Sequence, residues 1–208
     1  MGFISLPAEN VPQYLWTNRP SASSVIGELI YITNVGIGGS YWISNGTYWS
    51  PLNGEVTLAQ TGAATSVTGT TSETVLATYT LPGGLMSANG QIEIIHFWNV
   101  PSTANNKQIR VRHSSVGGGI AGDIYYYNAV TTIIGLQGIT CIRANNSVSA
   151  QKGWGIGSTG ASGIGTIASA LRSFTRGLQS DSDIVLTAQL ADTSETVTLE
   201  GYSIVYRG

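Results

Sequence analysis

Gln91-Ile92-Glu93-Ile94-Ile95-His96-Phe97-Trp98-Asn99, followed by Lys107-Gln108-Ile109-Arg110-Val111-Arg112-His113, decides the fold class. In both stretches apolar residues recur at every second position, the period of a strand with one face buried and one wetted. Arg110 and Arg112 therefore share an outer face. Further strand signals flank this pair at fairly regular spacing: 73–81, 123–127, 130–134, 138–144, 163–174, 183–190 and 195–206. Within 163–174, Ile164, Ile167, Ala168, Leu171 and Phe174 also fit helical spacing, so strand and helix both stay open there. Short strands punctuated by turns, with no other helical pattern, predict an all-β chain folded as an antiparallel sandwich or barrel.

Upstream, Leu29–Thr33 and Ser40–Ser44 read as strands joined by the glycine-bearing loop Asn34–Gly39. Asn45-Gly46 is a hairpin signal leading into Thr47-Tyr48-Trp49. The result is a small N-terminal β-meander. The proline-bracketed stretch Pro12–Pro20 offers Tyr14, Leu15 and Trp16 to cover one face. Residues 57–72 (TLAQTGAATSVTGTTS) carry neither a charge nor an aromatic ring. They read either as a free linker or as an extended arm that packs beside copies of itself. The expected organisation is thus a module over 1–56, the neutral segment 57–72, and a sandwich over 73–208.

Composition narrows the function classes. Of 208 residues only 10% are charged, 42% are apolar, and 27 are glycine. That is too few charges for a coiled coil and too many apolar residues for charge-driven disorder. A net charge of −2 supplies no basic field for nucleic acid, so no nucleic-acid partner is expected. The one cysteine, Cys141, cannot close an internal disulfide. The N-terminal residues MGFISLPAEN have no basic or apolar signal region, and no apolar run approaches the roughly 20 residues of a membrane span, so synthesis in the cytoplasm without membrane insertion is expected.

Catalytic readings fail for want of residues. His96 and His113 lie at no metal-ligand spacing, and a strand puts Glu93 on the face opposite His96. No G-x-S-x-G elbow occurs, and only Arg143 stands near Cys141 to activate it. Gly155–Gly160 matches G-x-G-x-x-G, yet it sits in a glycine-rich stretch, KGWGIGSTGASGIG, that reads as a surface loop rather than a strand-to-helix turn. Asp181 and Asp183 read as turn aspartates. Asn45-Gly46-Thr47 and Asn145-Asn146-Ser147 match the glycosylation sequon but, without an export signal, carry little weight. No enzyme activity, cofactor or metal is expected. Binding is the more open option: Tyr125-Tyr126-Tyr127 in a row puts at least one ring outside, and Trp154 lies in the glycine-rich stretch. These four are the candidate surface contacts.

Trp16 through Leu52 (WTNRPSASSVIGELIYITNVGIGGSYWISNGTYWSPL) resembles a small module found near the start of many tailed-bacteriophage fibre and structural proteins. Thr68 through Ser114, with Asp192–Tyr206 (DTSETVTLEGYSIVY), is similar to a jelly-roll domain that recurs in phage virion proteins. What the resemblance implies is a non-enzymatic homotrimeric structural protein on the virion surface, a short fibre or spike for host attachment. Its expected partners are its own copies, other capsid or tail proteins, and a bacterial surface glycan or protein. Trimers of this kind associate through sandwich edges and a neutral arm, which suits 57–72. The module would anchor the chain to the particle, with Tyr14, Trp16, Trp42 and Trp49 as the candidate contacts. No repeated shaft of the long-tail-fibre type is found, so a head fibre or a capsid-decorating trimer is the alternative. A carbohydrate-active enzyme is the third reading.

Overall fold

The computed structural model describes residues 10–157 and 171–208. It is built almost wholly of strands, as the alternating sequence predicts. The N-terminal strands β1 (Gln13–Tyr14), β2 (Leu29–Ile32), β3 (Ser40–Ser44) and β4 (Trp49–Pro51) form a sheet in that order, β1 running parallel to β2 and the others antiparallel. The turn between β3 and β4 is longer than a two-residue hairpin. Asn45 Oδ1 accepts the amides of Thr47 and Tyr48, both at 2.9 Å, and Gly46 takes φ +87°, so pairing resumes only at Trp49.

The remaining strands are β5 (Glu55–Thr61), β6 (Thr65–Thr68), β7 (Thr74–Leu81), β8 (Gln91–Asn99), β9 (Lys107–Ser115), β10 (Asp123–Val130), β11 (Gly135–Ala144), β12 (Gln151–Gly157), β13 (Arg172–Phe174), β14 (Ser182–Leu190) and β15 (Thr196–Arg207). They form two antiparallel sheets. One has the order β10-β9-β14-β7; the other has the order β13-β12-β11-β8-β15-β5, with β6 also paired to β15. Successive strands cross repeatedly between the sheets, which is the winding of a jelly roll.

Three expectations need correcting. Residues 57–72 are not a free connector: Thr57–Thr61 extends β5 and Thr65–Thr68 is β6, both hydrogen-bonded to β15. The expected strand over 130–134 is instead the end of β10 followed by a turn closed by Ile133 N–H donating to Thr131 O. The glycine-rich stretch from Lys152, expected in a loop, is through Gly157 part of strand β12 (Gln151–Gly157), paired with β11 through seven residues. Of the 163–174 stretch, Arg172–Phe174 is β13 and 163–170 lies outside the described residues.

Glycine explains why β12 reads as a loop. A methyl group at Gly153 would sit 2.2 Å from the Tyr125 ring, and one at Gly155 would sit 2.4 Å from the Tyr126 ring. Those rings descend from β10 in the opposite sheet. The glycines are therefore the space into which the tyrosines pack. On β11, Gly138 likewise gives way to the His96 ring, 2.0 Å from where its Cβ would be. The core between the sheets is completed by Ile92, Ile94, Ile109, Val111, Ile142, Ile184, Leu186 and Ile204, all fully buried.

The N-terminal sheet joins the same core. Trp16, in a short 3-10 turn, meets Trp42 at 5.0 Å between ring centres, and Trp42 stacks on Tyr206 of β15 at 5.8 Å and 21°. Trp16 Nε1–H donates to Gly83 O at 2.9 Å. The stretch from Pro12 to Pro20 thus covers the meander, and it also pins the meander to one end of the sandwich.

Gly155→Ala is expected to cost roughly 1–3 kcal/mol through overpacking, read as a lower urea midpoint. Combined with Tyr126→Ala, the loss should be smaller than the sum of the two single losses, because the clash is gone.

Candidate functional site

The three tyrosines separate at a bulge. The β10–β9 register shifts between Ile124 and Tyr126, so two successive rings point inward. Tyr125 and Tyr126 are buried, at 1% and 3% exposure, and are not available as receptor contacts. Tyr125 stacks on Phe174 at 3.9 Å and Tyr126 meets the His96 ring edge-on at 4.8 Å. Tyr127 is the ring left outside, with the Arg110 guanidinium carbon 5.3 Å from its centre. Trp154 is part-exposed on a strand rather than on a loop.

The tryptophans expected to anchor the chain to a particle are interior. Trp16, Trp42 and Trp49 are buried, and their indole N–H groups donate to Gly83 O, Ser40 Oγ and Pro20 O. Tyr14 is half-buried against the same core. They hold the module together instead of reaching outward. The aromatic side chains this sheet does present are Tyr31 and Tyr41, paired at 4.9 Å, alongside Leu29 and Ile43 on the face opposite Ile30 and Trp42.

The register of the larger sheet lines up a second surface. Trp154, Cys141, Glu93 and Val205 are cross-strand neighbours, as are Ile156, Ile139, Ile95 and Ser203 in the next row, and Gln137, Phe97 and Gly201 beyond. All of these point away from the core, since their alternates Gly153, Ile142, Ile92 and Tyr206 point into it. Phe97 is 45% exposed, and Trp154, Ile156, Ile139, Ile95 and Val205 are part-exposed. A charged row borders them, where Arg207 pairs with Glu55 at 3.2 Å and Glu93 at 2.9 Å.

The titratable groups serve the fold. Burial depresses the pKa of His96 to about 3, and its Nδ1 accepts the Trp98 indole N–H at 2.7 Å while Nε2 faces Thr140 Oγ1 at 3.3 Å. Burial, helped by Arg176, depresses that of His113 to about 4, with Ser182 Oγ at 2.8 Å. Burial and Glu93 push the Cys141 thiol up to about 11, away from any reactive thiolate. Asp181 accepts the Gly83 amide at 2.7 Å; Asp183 accepts Thr80 Oγ1 and the Gly117 amide, both at 2.8 Å.

On the outer face of the β10-β9-β14-β7 sheet, Arg112 forks onto Glu73 at 2.7 and 2.8 Å, with Arg110 at 3.1 Å and Thr187 also bonded. Burial works to raise the Glu73 pKa, but the bonds from Arg112 and Thr187 and the two guanidinium charges outweigh it and hold the carboxyl below its ordinary value. Among the described residues no group of three or more His, Cys, Asp or Glu is placed to hold a metal ion.

One feature had no local sequence signal. Where the module meets the sandwich there is a cleft of about 820 Å³, lined by residues from five separate stretches, including Arg19, Tyr48, Asn89, Asn146 and Gln179. Only folding brings these together.

No family model matches the chain, and no curated protein matches it. Among solved structures, a β-fructofuranosidase from Schwanniomyces occidentalis, complexed with fructosyl-erythritol, is similar over 86% of this chain and 38% of that one, at 6% identity and a TM-score of 0.28. The chain spans less than half of that enzyme's length, and a likeness of this size carries no argument about fold or chemistry.

The histidines give a pH signature. Their folded pKa values lie below the ordinary 6.5, so the unfolded chain binds more protons once pH falls below that value. This contribution is fully present above pH 6.5 and declines toward pH 4. The thermal midpoint should be level from pH 8 to 7 and fall between pH 6.5 and 5, and His113→Asn should flatten part of that slope in scanning calorimetry.

Proposed function

We propose that this chain is a non-enzymatic structural protein of a bacteriophage virion, a short homotrimeric fibre or spike displayed on the particle for attachment to the host surface. Assembly in the host cytoplasm and contacts with other virion proteins belong to the same reading. Its sequence basis is the resemblance of Trp16–Leu52 and of the jelly-roll stretches to phage virion modules. The structural observation that carries it is the outer face of the larger sheet, where Phe97, Ile95, Ile139, Trp154 and Ile156 form an apolar band bordered by the Glu93 carboxylate, with Val205 beyond it. Contiguous apolar bands of this kind mark association surfaces. A second copy of the chain is the natural occupant for a protein whose surface has few charges to keep copies apart. The three-fold number comes from the resemblance.

A second reading, a head fibre or a capsid-decorating protein that stabilises the shell, is favoured by one observation. The module is docked on the end of the sandwich through Trp16, Trp42 and Tyr206, which gives a compact unit in place of a stalk.

Light scattering on the purified chain should give the mass of a trimer, and Phe97→Glu combined with Ile95→Lys should give a folded monomer with an unchanged far-ultraviolet spectrum. A wild-type monomer at working concentration overturns self-association. Adsorption assays then separate the two readings: trimer that binds susceptible cells supports attachment, whereas particles lacking the protein that adsorb normally but lose heat resistance support decoration.

A further inference from the structure

We propose that the cleft between the N-terminal sheet and the sandwich is a binding site for an acidic saccharide, with the Arg19 guanidinium receiving the sugar carboxylate. The choice of a saccharide rests on the attachment reading above; the site itself does not.

Among the described residues Arg19 is the one charged side chain lining the cleft. It makes no ion pair among the described residues. Its guanidinium carbon lies 3.5 Å over the Trp16 ring, and one terminal nitrogen donates to Trp16 O. The other terminal nitrogen stays on the cleft side: it and Gln179 Oε1 would lie 3.5 and 3.8 Å from a methyl group at Gly84. Burial lowers its pKa to about 10, which leaves it charged at neutral pH. A half-buried cation without a carboxylate partner is under-solvated, and a charge-assisted hydrogen bond from the cleft-side terminal nitrogen to an incoming carboxylate relieves that. Asp181, near Gln179 in sequence, is occupied by the Gly83 amide.

The rest of the lining suits a sugar. Asn89, Asn146 and Gln179 supply exposed amides that both donate and accept, and Ser21 and Thr47 supply exposed hydroxyls. The half-buried Tyr48 ring and the side chains of Pro20 and Val148 offer apolar faces for the C–H side of a sugar ring. The volume falls within the roughly 300–1,000 Å³ of small-ligand sites.

The walls are also fixed in place. Gly84 N–H donates to Leu178 O at 2.7 Å, Leu178 N–H to Val148 O at 2.8 Å, Ser147 N–H to Ala88 O at 3.2 Å, and the Trp49 indole to Pro20 O at 3.0 Å. Asn146 holds φ at +53°, the only described non-glycine residue in the left-handed region. A site built this way loses little freedom when it binds.

The test uses the full chain with three probes: a glucuronate-containing tetrasaccharide, an oligogalacturonate and sialyllactose, each beside its carboxyl methyl ester. Binding is read by saturation-transfer NMR and by intrinsic tryptophan fluorescence, to which Trp49 in the cleft wall contributes. At least one acid is expected to bind with a dissociation constant at or below the millimolar range and its ester tenfold or more weaker. Arg19→Gln should abolish the acid-over-ester preference, Arg19→Lys should keep part of it, and Tyr48→Ala should weaken acid and ester alike. Thermal midpoints confirm that each variant is folded.

The proposal is overturned if none of the three acids binds at 10 mM, if acid and ester bind equally, or if folded Arg19→Gln retains the preference. Inorganic sulfate that matches the best saccharide in affinity overturns the saccharide assignment. Saccharide binding lost in Arg19→Gln, while virions carrying that variant adsorb normally, upholds the site and overturns the attachment reading.

Discussion

The sandwich depends on rings packed against missing side chains. Tyr125 and Tyr126 come down from one sheet onto Gly153 and Gly155 of the other, and the His96 ring covers Gly138 on the neighbouring strand. Each contact needs both members: a side chain on the glycine would push the sheets apart, and a smaller residue in place of the ring would leave a void. The same strand then shows its other residues, Trp154 and Ile156, to the outside. The packing that closes the core therefore also fixes the apolar band on which self-association is proposed to rest.

The joint between module and sandwich follows a similar logic. Trp42 belongs to the small sheet by register and to the sandwich by its stacking on Tyr206. Gly36 sits so close to Val56 that a methyl group there would be 2.6 Å from the valine side chain. One continuous core runs through both parts. The cleft with Arg19 lies at the rim of this joint, lined by residues of both parts.

Much of the fold was legible because alternation is a local property. The strands Gln91–Asn99 and Ser40–Ser44 have the ends the sequence predicts, and Arg110 and Arg112 do share an outer face. Non-local features were not legible. The tyrosine run gives no warning of the bulge that turns two rings inward, since a bulge is fixed by pairing with β9. Gly153 and Gly155 read as loop glycines because the rings that require them come from another strand. Residues 57–72 carry no charge, no aromatic ring and few large apolar side chains, and they become strands where β15 offers an edge. Trp16, Trp42 and Trp49, expected as anchoring contacts, are buried, because large aromatic residues in a small module are first needed to build its interior. The cleft could not be seen at all, being composed of fragments that only folding brings together.

The position of β15 sets an order on the making of this protein. It lies between β8 and β5 and also holds β6, yet among the described strands it is the last to be synthesised. Until it arrives, β8 has an open edge and β5 and β6 have no partner. A partly made chain thus carries unpaired backbone and apolar strand faces into a crowded cell, the condition in which like segments pair with one another wrongly. A low-charge sequence gains little protection from repulsion during that interval. Thr and Ser, whose hydroxyls hydrate well, supply five of the eleven residues of β5 and β6, the two strands that wait longest, and the neutrality of 57–72 suits the waiting nascent chain as much as its neighbours in the finished fold.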